Sequence, residues 1–344
     1  MPMRETGYGP GNISDLAVQT RDRYIENNLV DVISGESNLA KFLTVSDVNS
    51  EYRQRMGLRP RKHPYIPGPD LQVPLMYQLG SNQWINGASL LNTNTPSNLT
   101  AARFQWKEMV GPPMGLSRRD ILLNGDSETK IFDLVETQME ASITAVIEGL
   151  EQDLAGSASG FEILGLQDLI EDSPTSTIGQ IPRATNAFWR NYADATAYAS
   201  FGTGNAGFRA LETMYQSVKR GMEQPDVYFT TSAIQRYWTD YLVTNGTWNT
   251  FDNSPQAQDL GIIHDGPWFH KAPVVASEGI AAKHVYAINT NTCFLVFKPG
   301  QKFVETGNVR AFDSLQQINW IYAMLAFIIT NPKRNGVITD IQAI

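Results

Sequence analysis

This chain has one cysteine, four histidines and fewer basic than acidic residues, and each scarcity excludes something. A single Cys293 makes no internal disulfide, and it lies in the alternating apolar run His284–Phe297, where a small buried side chain is expected. His63, His264, His270 and His284 stand at none of the spacings that build a zinc site, with one another or with Cys293. A net charge of -8 and a pI near 5.1 argue against broad electrostatic adhesion to nucleic acid or anionic lipid. Long apolar runs are also missing. Trp320–Ile329 falls far short of the roughly 20 residues a membrane helix needs and reads as a buried strand. Met1–Gly11 has neither the apolar core of a signal peptide nor the arginine-rich pattern of a transit peptide, so a soluble, cytoplasmic product is expected.

What is present is organised around one long amphipathic stretch, Asp126–Leu154. Apolar residues recur at Ile131, Leu134, Val135, Met139, Ile143, Val146, Ile147, Leu150 and Leu154, the three-and-four spacing of a helix stripe. Asp126 supplies an N-cap, Glu128 suits the positive end of the dipole, and Gly156 and Gly160 supply the stop. With no proline inside, the helix spans roughly 40 Å. Asn12–Ile33 is expected to form a weaker helix and Leu116–Leu123 a short one leading into the long one. Beyond Phe161 the texture is mixed: strands are expected at Val227–Thr230, Val274–Val275, His284–Ile288, Cys293–Phe297 and Ile318–Thr330, and helices at Phe208–Met222 and Ser232–Val243.

Leu71–Ala102 carries no charged residue at all. Val73, Leu75 and Tyr77 lead in with strand alternation, Ala102, Phe104 and Trp106 lead out, and the middle is glycine, proline and asparagine. This is a long hairpin arm. A two-stranded ribbon is marginal alone in water, so the arm needs a surface, and Trp84, Ile85, Leu90 and Leu91 near its tip point to another molecule as that surface. Just before it, Glu51–Pro69 is a proline-broken basic strap containing Arg53, Arg55, Arg59, Arg61 and Lys62. Nucleic-acid contact is one reading of the strap; pairing with acidic surface on this or another subunit is the plainer one.

Chemistry has no clear seat in the sequence. Gly202, Gly204 and Gly207 match GxGxxG, yet Ala193–Phe201 lacks the character of the buried parallel strand that a dinucleotide fold places before its first glycine. A glycine loop capping a helix accounts for them. His264, Asp265 and His270 form an acid–base cluster only on paper, with no serine elbow or paired nucleophile nearby. No cofactor and no catalytic residue is expected.

The order of parts resembles the major capsid proteins of tailed bacteriophages, the Hong Kong 97-like fold. Leu71–Met109 is similar to that family's extended loop and Asp126–Leu154 to its spine helix. Gly165–Ile170, Ile178-Gly179 and above all Arg183-Ala184-Thr185-Asn186-Ala187-Phe188-Trp189-Arg190-Asn191 are similar to runs of one phage subfamily, as are Pro225-Asp226 and the closing Thr330–Gly336. The resemblance implies an α+β capsid fold: an N-terminal arm (1–67), an extended hairpin (68–115), a peripheral domain with the spine helix (116–160 and 299–330) and an axial domain (161–298 and 331–344). It implies an icosahedral shell around packaged DNA, built from pentamers and hexamers in the host bacterial cytoplasm. Partners would be a separate scaffolding protein, a portal protein and a decoration protein, with no membrane and no sequence-specific DNA contact. Assembly contacts would fall on Trp84, Ile85, Leu90, Leu91, Phe104, Trp106, Arg53, Arg55, Arg59 and Arg61. Some relatives cross-link through a loop lysine, but this loop has none before Lys107. The alternatives are a cellular nanocompartment shell of the encapsulin kind, with the same fold, and a soluble enzyme using the 202–207 glycine loop.

Overall fold

A computed structural model describes residues 39, 43, 68–78, 98–117, 128–196, 206–221, 223–244, 268–270, 272–305, 309–310 and 316–341. The expected helix at Asn12–Ile33, the arginines of the strap, the hairpin tip and the capping Asp126 lie outside these residues. In chain order the described elements begin with β1 (Asp70–Gln78), β2 (Asn98–Gln105), β3 (Lys107–Val110), β4 (Met114–Ser117), α1 (Glu128–Ala155) and α2 (Leu166–Leu169). They continue with β5 (Thr177–Ile178), β6 (Ile181–Pro182), β7 (Tyr192–Asp194), α3 (Ala206–Val218), β8 (Val227–Thr230), α4 (Ser232–Thr244), β9 (Trp268–Phe269) and β10 (Ala272–Ala276). The last are β11 (Val285–Ile288), β12 (Cys293–Phe297), β13 (Val304–Glu305), β14 (Val309–Arg310), β15 (Gln316–Asn319), β16 (Ile321–Ile329) and β17 (Gly336–Ile338). No helix among them is long and apolar enough to cross a membrane.

Two compact units emerge. The first is drawn chiefly from Lys107–Gln152 and Phe297–Leu325. Its frame is α1, 28 residues long, on which Ile143, Val146, Ile147 and Leu150 are buried on the stripe that the spacing predicts. The chain crosses this helix closely at Gly111: a Cβ there would sit 2.7 Å from Val146 Cγ2, while Ser142 Oγ donates to Pro112 O at 3.1 Å. Only glycine permits that approach. On either side of the crossing, β3 pairs antiparallel with β16 and β4 with β15. The expected helix over Leu116–Leu123 is therefore corrected at its start, because Leu116 and Ser117 are in β4, in register with Gln317 and Gln316. A further correction divides Ile318–Thr330, which is two strands broken at Trp320.

The second unit gathers Phe42–Trp106, Asp153–Val296 and Ala326–Ile344. Its core is a six-stranded mixed sheet in the order β7-β17-β11-β8-β10-β9, with β8 parallel to β10 and β17 parallel to β7. Strands β8 and β11 are buried at every position, which is why they read as continuous apolar runs. On α3, Ala210, Leu211, Met214, Tyr215 and Val218 recur at helical spacing and are buried, and Ile234 and Trp238 do the same on α4. All of these but Tyr215 form one apolar cluster with Tyr228, Val274, Val285 and Ile338. Gly336 sits where a Cβ would lie 3.1 Å from both Met214 and Val218, so β17 and α3 meet almost backbone to side chain.

Candidate interaction site

The ribbon of β1 and β2 is antiparallel as expected, with Leu71 opposite Phe104, Val73 opposite Ala102, Pro74 opposite Ala101 and Met76 opposite Leu99. Its two faces differ. Leu71, Val73, Ala102 and Phe104 are buried within the second unit. The other face carries exposed Pro74 and Ala101, with Met76 at 58% and Leu99 at 74% exposure. An uncharged apolar strip on the open side of a two-stranded ribbon is the kind of patch that marks an interaction site.

The ribbon is seated on a two-residue hairpin. Strands β5 and β6 pair Ile178 with Ile181 around Gly179 and Gln180, both at positive φ (59° and 65°), the signature of a type I′ turn. That turn aims Gly179 O at the ribbon, where it accepts from Arg103 N at 3.0 Å. The packing is tight enough that a Cβ on Gly179 would lie 2.8 Å from Ala102 Cβ. Further along, Tyr77 stacks on Phe188 with ring centroids 4.7 Å apart.

Behind this seat lies the run Arg183–Asn191. Arg183 is fully buried; its guanidinium donates to Leu169 O and to Asn191 Oδ1 (3.3 Å) and pairs with Glu171 at 3.6 Å. Burial pulls its pKa down and the Glu171 carboxylate works against that. Asn191 Nδ2 donates to Glu171 O (2.8 Å), Arg190 Nε to Arg183 O (2.7 Å), and Trp189 Nε1 to Ile178 O (3.0 Å). Tyr192 N then donates to Asn335 O at 3.1 Å, next to the pairing of β7 with β17. The run that most resembled a phage subfamily is thus a polar knot around buried Arg183, Trp189 and Asn191, and no sequence spacing announced it, because its partners come from segments up to 20 residues away.

The other expected sites are found as follows. Phe104 faces inward at 3% exposure, and Trp106, half-buried, donates Nε1 to Gly68 O at 3.0 Å. Trp84, Ile85, Leu90, Leu91, Arg53, Arg55, Arg59 and Arg61 lie outside the described residues, as do Gly202, Gly204 and His264. Gly207 is buried in the first turn of α3. A parallel strand, β7, does precede that helix, but it is half-buried and sits at the sheet edge, so it is not the buried strand that a dinucleotide fold places before its first glycine.

His270 Nε2 meets Glu212 Oε2 at 2.6 Å and its ring stacks on Tyr215, while His284 Nε2 meets Asp172 Oδ2 at 3.0 Å and its Nδ1 meets Ala282 O at 2.7 Å. These two histidines are held in separate pairings, and among the described residues no nucleophile is set against either. The phenols of Tyr228 and Tyr286 are buried without a hydrogen-bond partner among the described residues, and burial pushes both well above the ordinary 10.0. They do not share a seat: Tyr228 registers with Ala287 and Tyr286 with Phe229, which puts them on opposite faces of the sheet. Cys293 is buried, as expected. Among the described residues no three His, Cys, Asp or Glu side chains gather to hold a metal.

No family model matches the chain, and no curated protein matches its sequence. Solved structures do. It is similar to the capsid protein of cyanophage A-1(L), with a TM-score of 0.61 at 14% identity, covering 79% of this chain and 88% of that one. The SrpI encapsulin from Synechococcus elongatus PCC 7942 gives a TM-score of 0.55 at 8% identity over 87% of this chain and 97% of that one. The capsid of a native GTA particle gives 0.51 at 10% identity over 87% and 92%. The α+β fold is that of phage capsid and encapsulin subunits.

Proposed function

We propose that this chain is a shell-building subunit that self-assembles into the icosahedral head of a tailed bacteriophage and encloses its DNA. One observation carries the reading: in a chain with the capsid fold, a two-stranded ribbon with an uncharged, outward apolar strip at Pro74, Met76, Leu99 and Ala101 is left without a partner among the described residues. A surface of that kind is covered when copies of the chain come together in pentamers and hexamers. Under this reading α1 is the spine helix of a peripheral domain, the six-stranded sheet belongs to an axial domain, and Trp84, Ile85, Leu90 and Leu91 extend the contact beyond the ribbon. Phe104 serves by fixing the ribbon to its own subunit, Trp106 lies at the edge of the contact, and the arginines at 53, 55, 59 and 61 pair with acidic surface of neighbours. A separate scaffold, a portal and a decoration protein complete the particle, and DNA is held without sequence preference.

A second reading is favoured by the likeness to the SrpI encapsulin, whose fold agrees over 87% of this chain: a protein-enclosing nanocompartment. Electron microscopy of the purified protein decides between shells and no shells. Particles isolated from cells and assayed for nuclease-protected DNA against co-purifying protein then decide between the two contents. A species that stays monomeric across salt and concentration, with scaffold supplied, refutes both.

A further inference from the structure

The surface of the ribbon says what it touches; the seat beneath it says how it is aimed. Besides the apolar face the ribbon buries, two directed contacts among the described residues tie it to the segments beneath, and they are well separated. One is the hydrogen bond from Arg103 N to Gly179 O, at the level of Gln72 in the register. The other is the stack of Tyr77 on Phe188, five residues further along β1, roughly 17 Å at the usual strand rise. A ribbon held at one point swivels about it; one held at two points that far apart has a fixed pitch. Both anchor points are fixed by the same knot: Trp189 Nε1 holds Ile178 O beside Gly179, Phe188 is the residue just before Trp189, Arg183 and Asn191 lock the segment to Leu169 and Glu171, Arg190 ties it back on Arg183 O, and the adjoining Tyr192 N holds Asn335 O.

We propose that the Arg183–Asn191 knot is a bearing that sets the pitch of the β1–β2 ribbon, with Phe188 as the positioning residue, so that assembly depends on residues beneath the ribbon as well as on its exposed strip. This rests on the shell-forming reading above. The physical logic is preorganisation. Ordering a swivelling arm at the moment of association subtracts from each contact it makes, and holding it beforehand removes that loss. In a closed shell the saving recurs at every subunit.

The test uses the full-length chain before assembly. Phe188→Ala is expected to raise hydrogen exchange at the amides of residues 70–78 and 98–105 at least fivefold while leaving β8 and β11 unchanged, and to lower shell yield by tenfold or more. Phe188→Tyr, which keeps the stack, is expected to restore both. Should Phe188→Ala fail to fold, Tyr77→Ala breaks the same stack from the exposed side and is expected to give the same two effects, and the double variant no more than either single one. Unchanged exchange in the ribbon, or a loosened ribbon with normal shell yield, overturns the proposal. Absence of shells from the unsubstituted chain overturns the shell-forming reading instead, and the exchange comparison still decides whether the bearing exists.

Discussion

Replacing Arg183 by alanine is expected to damage the subunit far more than its position in an irregular segment implies. The side chain is wholly buried, and truncation leaves Glu171 without its cationic partner and Leu169 O and Asn191 Oδ1 without donors. Removing one member of a buried pair costs about 3–5 kcal/mol, and here the loss falls chiefly on the two buried acceptors, since Glu171 keeps its bonds from Thr175 N and Ser176 N. For a chain of 344 residues the melting temperature of the unassembled subunit falls by roughly 4–7 °C. Arg236 provides the contrast. It pairs with Asp240 one helical turn away, with side chains 80% and 56% exposed, and losing it costs about 0.3–0.5 kcal/mol. Lysine does not substitute at 183, since one ammonium cannot serve the backbone carbonyl, the amide and the carboxylate that the guanidinium fork reaches together. Equilibrium unfolding in urea, followed by the signal of the tryptophans, measures all three variants. Should Arg183→Ala lie within about 1 kcal/mol of the parent, like an exposed pair, the knot is not the buried structure described.

Three further outcomes are expected. Glu212 titrates below its ordinary 4.5 because of the hydrogen bond from His270, then that from Gln216. Its stabilising contribution is therefore complete above 4.5 and lost as pH falls through the lowered value, so Glu212→Gln lowers the neutral plateau of a stability–pH curve and leaves its acid end unchanged, flattening the fall between them. Asp153 has the opposite sign, its pKa being raised by burial and by Glu162. Asp153→Asn should thus raise the melting temperature at pH 7, with the gain vanishing below 3.8, and a loss at pH 7 would count against it. Gly165→Ala places a Cβ 2.1 Å from Gly156 O and 2.6 Å from Asp153 O, so it must displace backbone at the end of α1, and soluble yield is expected to collapse where Gly160→Ala, with open space around it, is tolerated apart from its left-handed φ.

The sequence made the regular elements plain where one period ran long enough. The stripe from Ile143 to Leu154, the alternation around Val73 and Ala102, and the apolar runs of β8, β11 and β12 all reappear in the structure. It failed at Met114–Ser117, four residues too short to show a period, whose strand character comes from pairing with Gln316–Asn319 about 200 residues away. The same limit hid the bearing. Nothing in Arg183-Ala184-Thr185-Asn186 distinguishes a solvated arginine from a buried one. Its burial is set by Leu169, Glu171 and Asn191, and those become neighbours only when the chain folds.

Asn335 bears on how this chain ages. An asparagine followed by glycine ordinarily loses ammonia readily, the glycine nitrogen attacking the side-chain carbonyl carbon to close a succinimide ring. Here the amide is engaged three times over: Oδ1 accepts from Asn289 N at 2.8 Å, and Nδ2 donates to Thr292 Oγ1 and to Asn331 O, each at 3.1 Å. The backbone at Asn335 is extended, with ψ at 148°, and Gly336 is paired in β17 and packed against Met214 and Val218. Ring closure requires the amide and the following peptide to turn toward each other, and both are tied elsewhere. A labile dipeptide is thereby placed where its chemistry is slow, which suits the long-lived shell proposed above.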